Sequence, residues 1–120
     1  MRAGAAALAL AFWCGAAFAD PTPARIRAEI DALLDRLQAS GCQFERNGTW
    51  YGSADARAHL LDKLAYVERR RTLQSTEQFI ELIGSSSSAS GKPYRVKCGN
   101  AAPVESRQWL TRELSAVRRQ

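Results

Sequence analysis

The sequence predicts an α+β fold, with about four helices packed on a small three-stranded antiparallel sheet made of a hairpin and a C-terminal strand. Three observations carry that expectation. Apolar side chains recur at helical spacing in four segments, whereas two short runs alternate with a period of two. Asn47-Gly48 interrupts the first alternating run, the strongest short signal of a tight hairpin. Cys42 and Cys98 fall one in each alternating run and can tie the hairpin to the later strand.

The chain opens with Arg2 and the uncharged apolar run "AGAAALALAFWCGAAF". Small residues then stand at Ala17 and Ala19, where a signal peptidase needs them. Residues 1–19 are therefore expected to be a cleaved signal peptide, and residues 20–120 a single α+β domain. The apolar run falls short of the roughly 20 residues that span a bilayer, so no membrane span is expected in the mature chain. Trp13 stands before Cys14 where lipid attachment wants a small residue. A periplasmic or secreted address follows. Cys14 leaves with the leader, and in an oxidising compartment the remaining pair, Cys42 and Cys98, is expected to form a disulfide. Closing so long a loop is worth about 4 kcal/mol on the chain-entropy view, a large share of the stability of so small a domain. His59 is the only histidine, so Cys and His cannot assemble a zinc set, and no metal or cofactor is expected. Lys and Arg total 17 against 12 acids, and removing Arg2 leaves a net charge of +4. That mild excess favours acidic partners without requiring nucleic acid.

"PTPARIRAEIDALLDRLQASG" reads as the first helix. Thr22 can cap it, Pro23 suits its first turn, and Gly41 stops it. Ile26, Ile30, Leu33, Leu34 and Leu37 form its buried stripe. In "CQFERNGTWYG" the Asn47-Gly48 turn pairs Arg46 with Thr49, Glu45 with Trp50 and Phe44 with Tyr51. "SADARAHLLDKLAYVERRR" is the second helix, capped by Ser53 and buried through Ala56, Leu60, Leu64 and Val67, with Arg69 to Arg71 in its last turn. His59 and Lys63 lie one turn apart on an adjoining face, His59 also one turn from Asp55. "STEQFIELIG" is a short third helix with a Ser75/Gln78 capping box. Tyr94, Val96 and Cys98 alternate with Arg95 and Lys97 as a half-buried strand. The stretch from Pro103 to Gln120 closes the chain as a fourth helix.

The serine-rich segment "GSSSSASGKPYRVKCG" joins the third helix to that strand. It is no Walker loop: Ser86 occupies the first glycine position, and Pro93 follows Lys92 with no hydroxyl for magnesium. Ala89 stands where a Ser-x-x-Lys nucleophile would be. A Ser-His-acid triad could use only His59, and Asp55 lies on the same helix rather than across the ring from a serine. Glu45, Asp62, Glu77 and Glu81 sit among polar neighbours, as surface acids do. Glu68, Asp62 and Glu77 flank the triple arginine, which reads as a solvated helix end rather than a nucleic-acid contact. What remains is a set of hydrogen-bond donors suited to a small anion: serine hydroxyls, backbone N–H groups around Gly91, and Lys92.

Three motifs stand out in combination: Cys-x-Phe-x-Arg-Asn-Gly-x-Trp-Tyr from Cys42, His-Leu-x-x-Lys from His59, and Ser-Ser-x-Ser-Gly-Lys-Pro-Tyr from Ser87. With them the chain, roughly from Cys42 to Arg118, resembles a family of small exported bacterial proteins known only as a domain of unknown function. The resemblance implies a periplasmic address and no particular activity. Its pattern marks Arg46, Asn47, His59, Lys63, Ser87, Ser88, Ser90 and Gly91. Asn47 and Gly91 have backbone explanations, whereas Arg46, His59, Lys63 and the serines have no folding task. The candidate ligand-binding residues are therefore Arg46, His59, Lys63, Ser87, Ser88, Ser90, Gly91 and Lys92, with the His59/Lys63 face lying under the serine loop. The expected function is non-enzymatic binding of a ligand or partner, a small anion or a cell-envelope component. The alternative is a small serine-dependent hydrolase acting on cell-envelope substrates.

Overall fold

Five apolar side chains at helical spacing make α1, Ala24–Ser40, and all five, Ile26, Ile30, Leu33, Leu34 and Leu37, are buried. The computed structural model describes residues 3–7 and 19–120, so the expected leader lies largely outside the described residues. Gly41 ends α1 in the left-handed region at φ 64°. Pro23, not Thr22, holds the N-cap position. The Thr22 hydroxyl instead donates to the Glu68 carboxylate at 2.6 Å, a charge-assisted bond that outcompetes a neutral cap.

The hairpin joins β1, Gln43–Arg46, to β2, Thr49–Tyr51, in the expected register of Phe44 with Tyr51, Glu45 with Trp50 and Arg46 with Thr49. Asn47 and Gly48 take φ of 50° and 82°, the paired positive values that a twisted two-residue turn requires. β3, Arg95–Lys97, lies on the other side of β1, with Phe44 opposite Val96. Continuing that register sets Cys42 opposite Cys98. They are disulfide-bonded, with Cα atoms 4.3 Å apart, about the spacing of directly opposed residues in an antiparallel pair.

The sheet has four strands rather than three. Val104–Glu105 forms β4 against β3, giving the order β2-β1-β3-β4. The last helix, α4, consequently begins at Ser106 and runs to Arg118. Two residues are too few to display a period, and the preceding Pro103 suits a strand edge as well as a helix start.

α2, Ser53–Glu68, is capped by Gly52 rather than Ser53, whose hydroxyl donates to the Gln38 carbonyl at 3.1 Å. Arg69 to Arg71 follow the helix instead of forming its last turn. α3, Thr76–Phe79, starts with the Ser75 hydroxyl accepting from the Gln78 N–H at 3.0 Å, while the Gln78 side chain reaches back to the Gln74 N–H. A widened π turn, Ile80–Gly84, continues it. α1 packs on α2, α3 and α4, α2 rests on β1, and α4 rests on β3 and β4. One core results, with Phe44, Phe79, Tyr94 and the helix leucines at its centre. No helix among the described residues is long and apolar enough to cross a membrane.

The π turn delivers the chain into the serine loop, and Gly84 makes the delivery possible. A Cβ there would stand 2.5 Å from Leu110 Cδ1, deep in the core. Gly84→Ala is therefore expected to cost about 1–3 kcal/mol by overpacking, read as a lower urea midpoint at unchanged slope. An unaltered midpoint would mean that α4 yields freely at this point.

Candidate functional site

Helical spacing puts His59 and Lys63 on the side of α2 that faces the sheet end. Arg46 closes β1, and Tyr94 immediately precedes β3. The β1–β3 register, extended by one residue beyond Glu45 and Arg95, sets Arg46 opposite Tyr94. Tyr94 is only 1% exposed. Its backbone N–H donates to Ser85 and its carbonyl accepts from Ser106, and its ring packs 5.0 Å from that of Phe44. The hydroxyl is thereby carried to a fixed point beside α2.

Four side chains converge there. Arg46 Nη1 lies 2.7 Å from His59 Nδ1, and His59 Nε2 lies 3.1 Å from the Tyr94 hydroxyl. Lys63 Nζ donates to the Ser86 carbonyl at 2.6 Å and to the Tyr94 hydroxyl at 3.4 Å. Arg46 is further held by the Tyr51 ring, 4.8 Å from its guanidinium carbon.

Hydrogen-bond accounting decides the protonation pattern. A guanidinium has no acceptor, so His59 Nδ1 must carry the lone pair that meets it. The neutral ring then carries its proton on Nε2 and donates it to Tyr94. With Lys63 donating to the same oxygen, both lone pairs of Tyr94 are taken, and its own hydrogen is left to donate. One Lys63 N–H is also left without a partner. Electrostatics agree with this pattern. Burial lowers the His59 pKa, and Arg46 and Lys63 lower it further, against a smaller opposing pull from Asp62. Burial likewise lowers the Lys63 pKa and raises that of Tyr94, with Arg46 opposing the latter.

These groups border a cleft of about 370 Å³. Arg46, His59, Lys63 and Tyr94 form its polar side. Asn47, Ser87 and Ser88 contribute further polar groups, and Tyr66 and Ala89 complete the wall. Among the described residues, no Asp or Glu lines it. Arg27, Arg36, Arg57, Arg95 and Arg118 are all ion-paired, but among the described residues neither Arg46 nor Lys63 forms an ion pair. A larger groove of about 490 Å³ runs along the outer face of α4. There Glu105 stands beside Arg107 and Arg112, and all three are exposed, so the charges are mixed and hydrated.

Of the residues expected in the site, Arg46, His59, Lys63, Ser87 and Ser88 line this one cleft. Ser90, Gly91 and Lys92 lie outside the lining. Ser90 shapes the loop: its hydroxyl donates to the Asn47 side chain at 2.6 Å and accepts from the Lys92 N–H. Ser87 is buried and accepts from Asn47 Nδ2 at 3.2 Å and from the Ser90 N–H at 3.3 Å. Gly91 takes φ 74°, and its N–H donates to Ser87. Both ring nitrogens of His59 are engaged by Arg46 and Tyr94, and among the described residues no serine hydroxyl hydrogen-bonds to them. Nor do three His, Cys, Asp or Glu side chains gather as a metal site among those residues.

Alternation places Tyr94 on the inward side of a half-buried strand, no motif marks Tyr66, and Asn47 reads as a turn residue. Tyr66 follows His59 and Lys63 at seven and three residues, one continuous helix face, and that spacing was the available signal. The Asn47 side chain bridges two loops, which local sequence does not display.

Fold and cleft together define a small disulfide-stapled α+β protein with an unpaired cationic cleft beneath a serine loop. The chain belongs to the family of unknown function DUF5329, which matches residues 24–118. It is also similar to the uncharacterized protein YfeK of Salmonella typhimurium, 41% identical over 68 residues, which cover 56% of this chain and 55% of the relative. The matched region thus spans about half the length of that relative. No solved structure gives a significant match.

Proposed function

We propose that the protein is a non-enzymatic, exported binding domain whose cleft holds a small anion. One observation supports this above the rest: Arg46, Lys63 and the Tyr94 hydroxyl present spare donors to one space that no carboxylate lines among the described residues. Unpaired, half-buried cations are costly to fold, and an anion that accepts from all of them offsets that cost. The disulfide and the leader-like first residues favour an oxidising compartment.

The test is a titration with sulfate, which does not change charge between pH 5 and 8. Saturable shifts of the His59 and Tyr94 ring resonances, weakening with added chloride, are expected. The affinity should rise as the pH falls toward the lowered value of free His59 and level off below it. Free His59 is held neutral by burial, by Arg46 on β1 and by Lys63 on α2, against Asp62 on α2, with the Tyr94 hydroxyl as its acceptor. A bound dianion favours the imidazolium, so binding takes up a proton, and one proton limits the gain to tenfold per pH unit. Without anion the sign reverses for stability. The unfolded chain protonates its histidine first, so the His59 contribution is complete above about 6.5 and is lost as the pH falls toward the lowered folded value. Resonances that stay still through millimolar sulfate would remove the reading.

A further inference from the structure

The cleft is built for more than an anionic head. At about 30 Å³ per water molecule, 370 Å³ holds roughly a dozen waters, and a bare phosphate or carboxylate would fill a small part of it. Beside the cationic groups, one turn beyond Lys63 on α2, stands Tyr66, 52% exposed, which is the one large hydrophobic side chain so exposed among the described residues. An aromatic ring left in water beside a charged site is a cost to the free protein.

That ring is also held. The Arg70 guanidinium carbon stacks 3.6 Å from the ring centroid, and Arg70 Nη1 donates to the Tyr66 carbonyl one turn back. Arg70 therefore biases Tyr66 toward this rotamer, so part of the ordering a ligand would have to supply is already met. Ala89 lies on the same lining with no polar side chain of its own. His59, Lys63, Tyr66 and Arg70 follow one another along one face of α2 and its end, so the polar head site and the aromatic wall are set by the same helix.

We infer that the natural ligand is an amphipathic organic anion, a carboxylate or phosphomonoester head carrying a flat apolar body that lies against Tyr66. This rests on the anion-binding reading and narrows it. The head is met by Arg46, Lys63 and Tyr94, and the body lies against the part of the Tyr66 ring that Arg70 leaves open. Charge alone does not satisfy such a site, and neither does an uncharged aromatic.

Calorimetric titration of the mature chain with paired probes tests it: acetate against benzoate, and inorganic phosphate against phenyl phosphate, with benzyl alcohol as the uncharged body. Each aryl anion is expected to bind at least tenfold tighter than its bare head, and benzyl alcohol not measurably. Tyr66→Ala should erase the aryl advantage, bringing the ratio of aryl to bare-head affinity to within twofold of one. Tyr66→Phe should retain it. The exposed position makes folding of these variants straightforward to verify by melting. Equal affinities for head and aryl anion, or an aryl advantage that survives Tyr66→Ala, overturn the inference and leave anion binding standing. Absence of binding by every anion overturns both.

Discussion

Replacing Cys42 and Cys98 together with alanine is expected to destabilise the protein by about 2–5 kcal/mol. The bridge joins residues 56 apart in sequence, so it restricts much of the unfolded chain. The strands that hold this end of the sheet are short: β3 has three residues and β4 two. At roughly 4–8 °C per kcal/mol for a domain of this size, the melting temperature should drop by about ten degrees or more. Reductant should do the same to the native chain and nothing to the variant. The bridge also joins the far ends of β1 and β3, the two strands that border the candidate cleft. Arg46 and Tyr94 each lie four residues from their cysteine, about 13 Å along the strand pair. Slippage or splaying of β1 against β3 therefore separates the guanidinium from the hydroxyl. Sulfate affinity is expected to fall in the alanine variant even at temperatures where it remains folded. Equal urea midpoints with and without the bridge would show that core packing alone sets the register.

The contrast between what was legible in sequence and what was not follows from the range of the interactions. α1 could be read to its last leucine, because five apolar residues at one spacing have one physical solution. The hairpin register could be read from Asn47-Gly48, because few residue pairs tolerate two positive φ values in succession. The cysteine pair then brought β3 to β1. Helix caps were less legible: Thr22 and Ser53 are good caps by type, yet each found a distant acceptor, Glu68 and Gln38, that local sequence does not reveal. β4 escaped because two residues carry no period. Among the cleft residues, His59 and Lys63 stand out in sequence as a pair one turn apart that the family pattern marks and that has no folding task. Tyr94 does not, because alternation assigns it to the core, and it is indeed buried; only its hydroxyl serves the cleft. The loop serines divide in a way that composition could not anticipate. Ser87 and Ser90 order the loop against Asn47, leaving Ser88 exposed at the lining.

The double variant Arg46→Gln with Lys63→Gln is expected to lose sulfate binding by more than a hundredfold while melting no lower than the parent. Hydrogen bonds to a charged group contribute about 1.5–3 kcal/mol each, so removing two cationic donors takes away tenfold to a hundredfold or more apiece. Folding responds differently. Glutamine at 63 still has N–H groups to offer the Ser86 carbonyl, which otherwise accepts from Nζ at 2.6 Å. Glutamine at 46 falls two bonds short of His59 Nδ1, but that ring is half-exposed and a water can take the place of the guanidinium. What disappears is the mutual repulsion of two cations around one histidine, together with the burial cost that lowers the Lys63 pKa. Partly buried charges without counter-ions oppose folding, so their removal should be neutral or stabilising, and His59 should titrate closer to its ordinary value, seen by NMR. Reduced stability with sulfate affinity intact would identify the cluster as a brace between α2 and the sheet. Stability that holds while affinity vanishes is the signature of a site whose charges are kept for a ligand and against the preference of the fold.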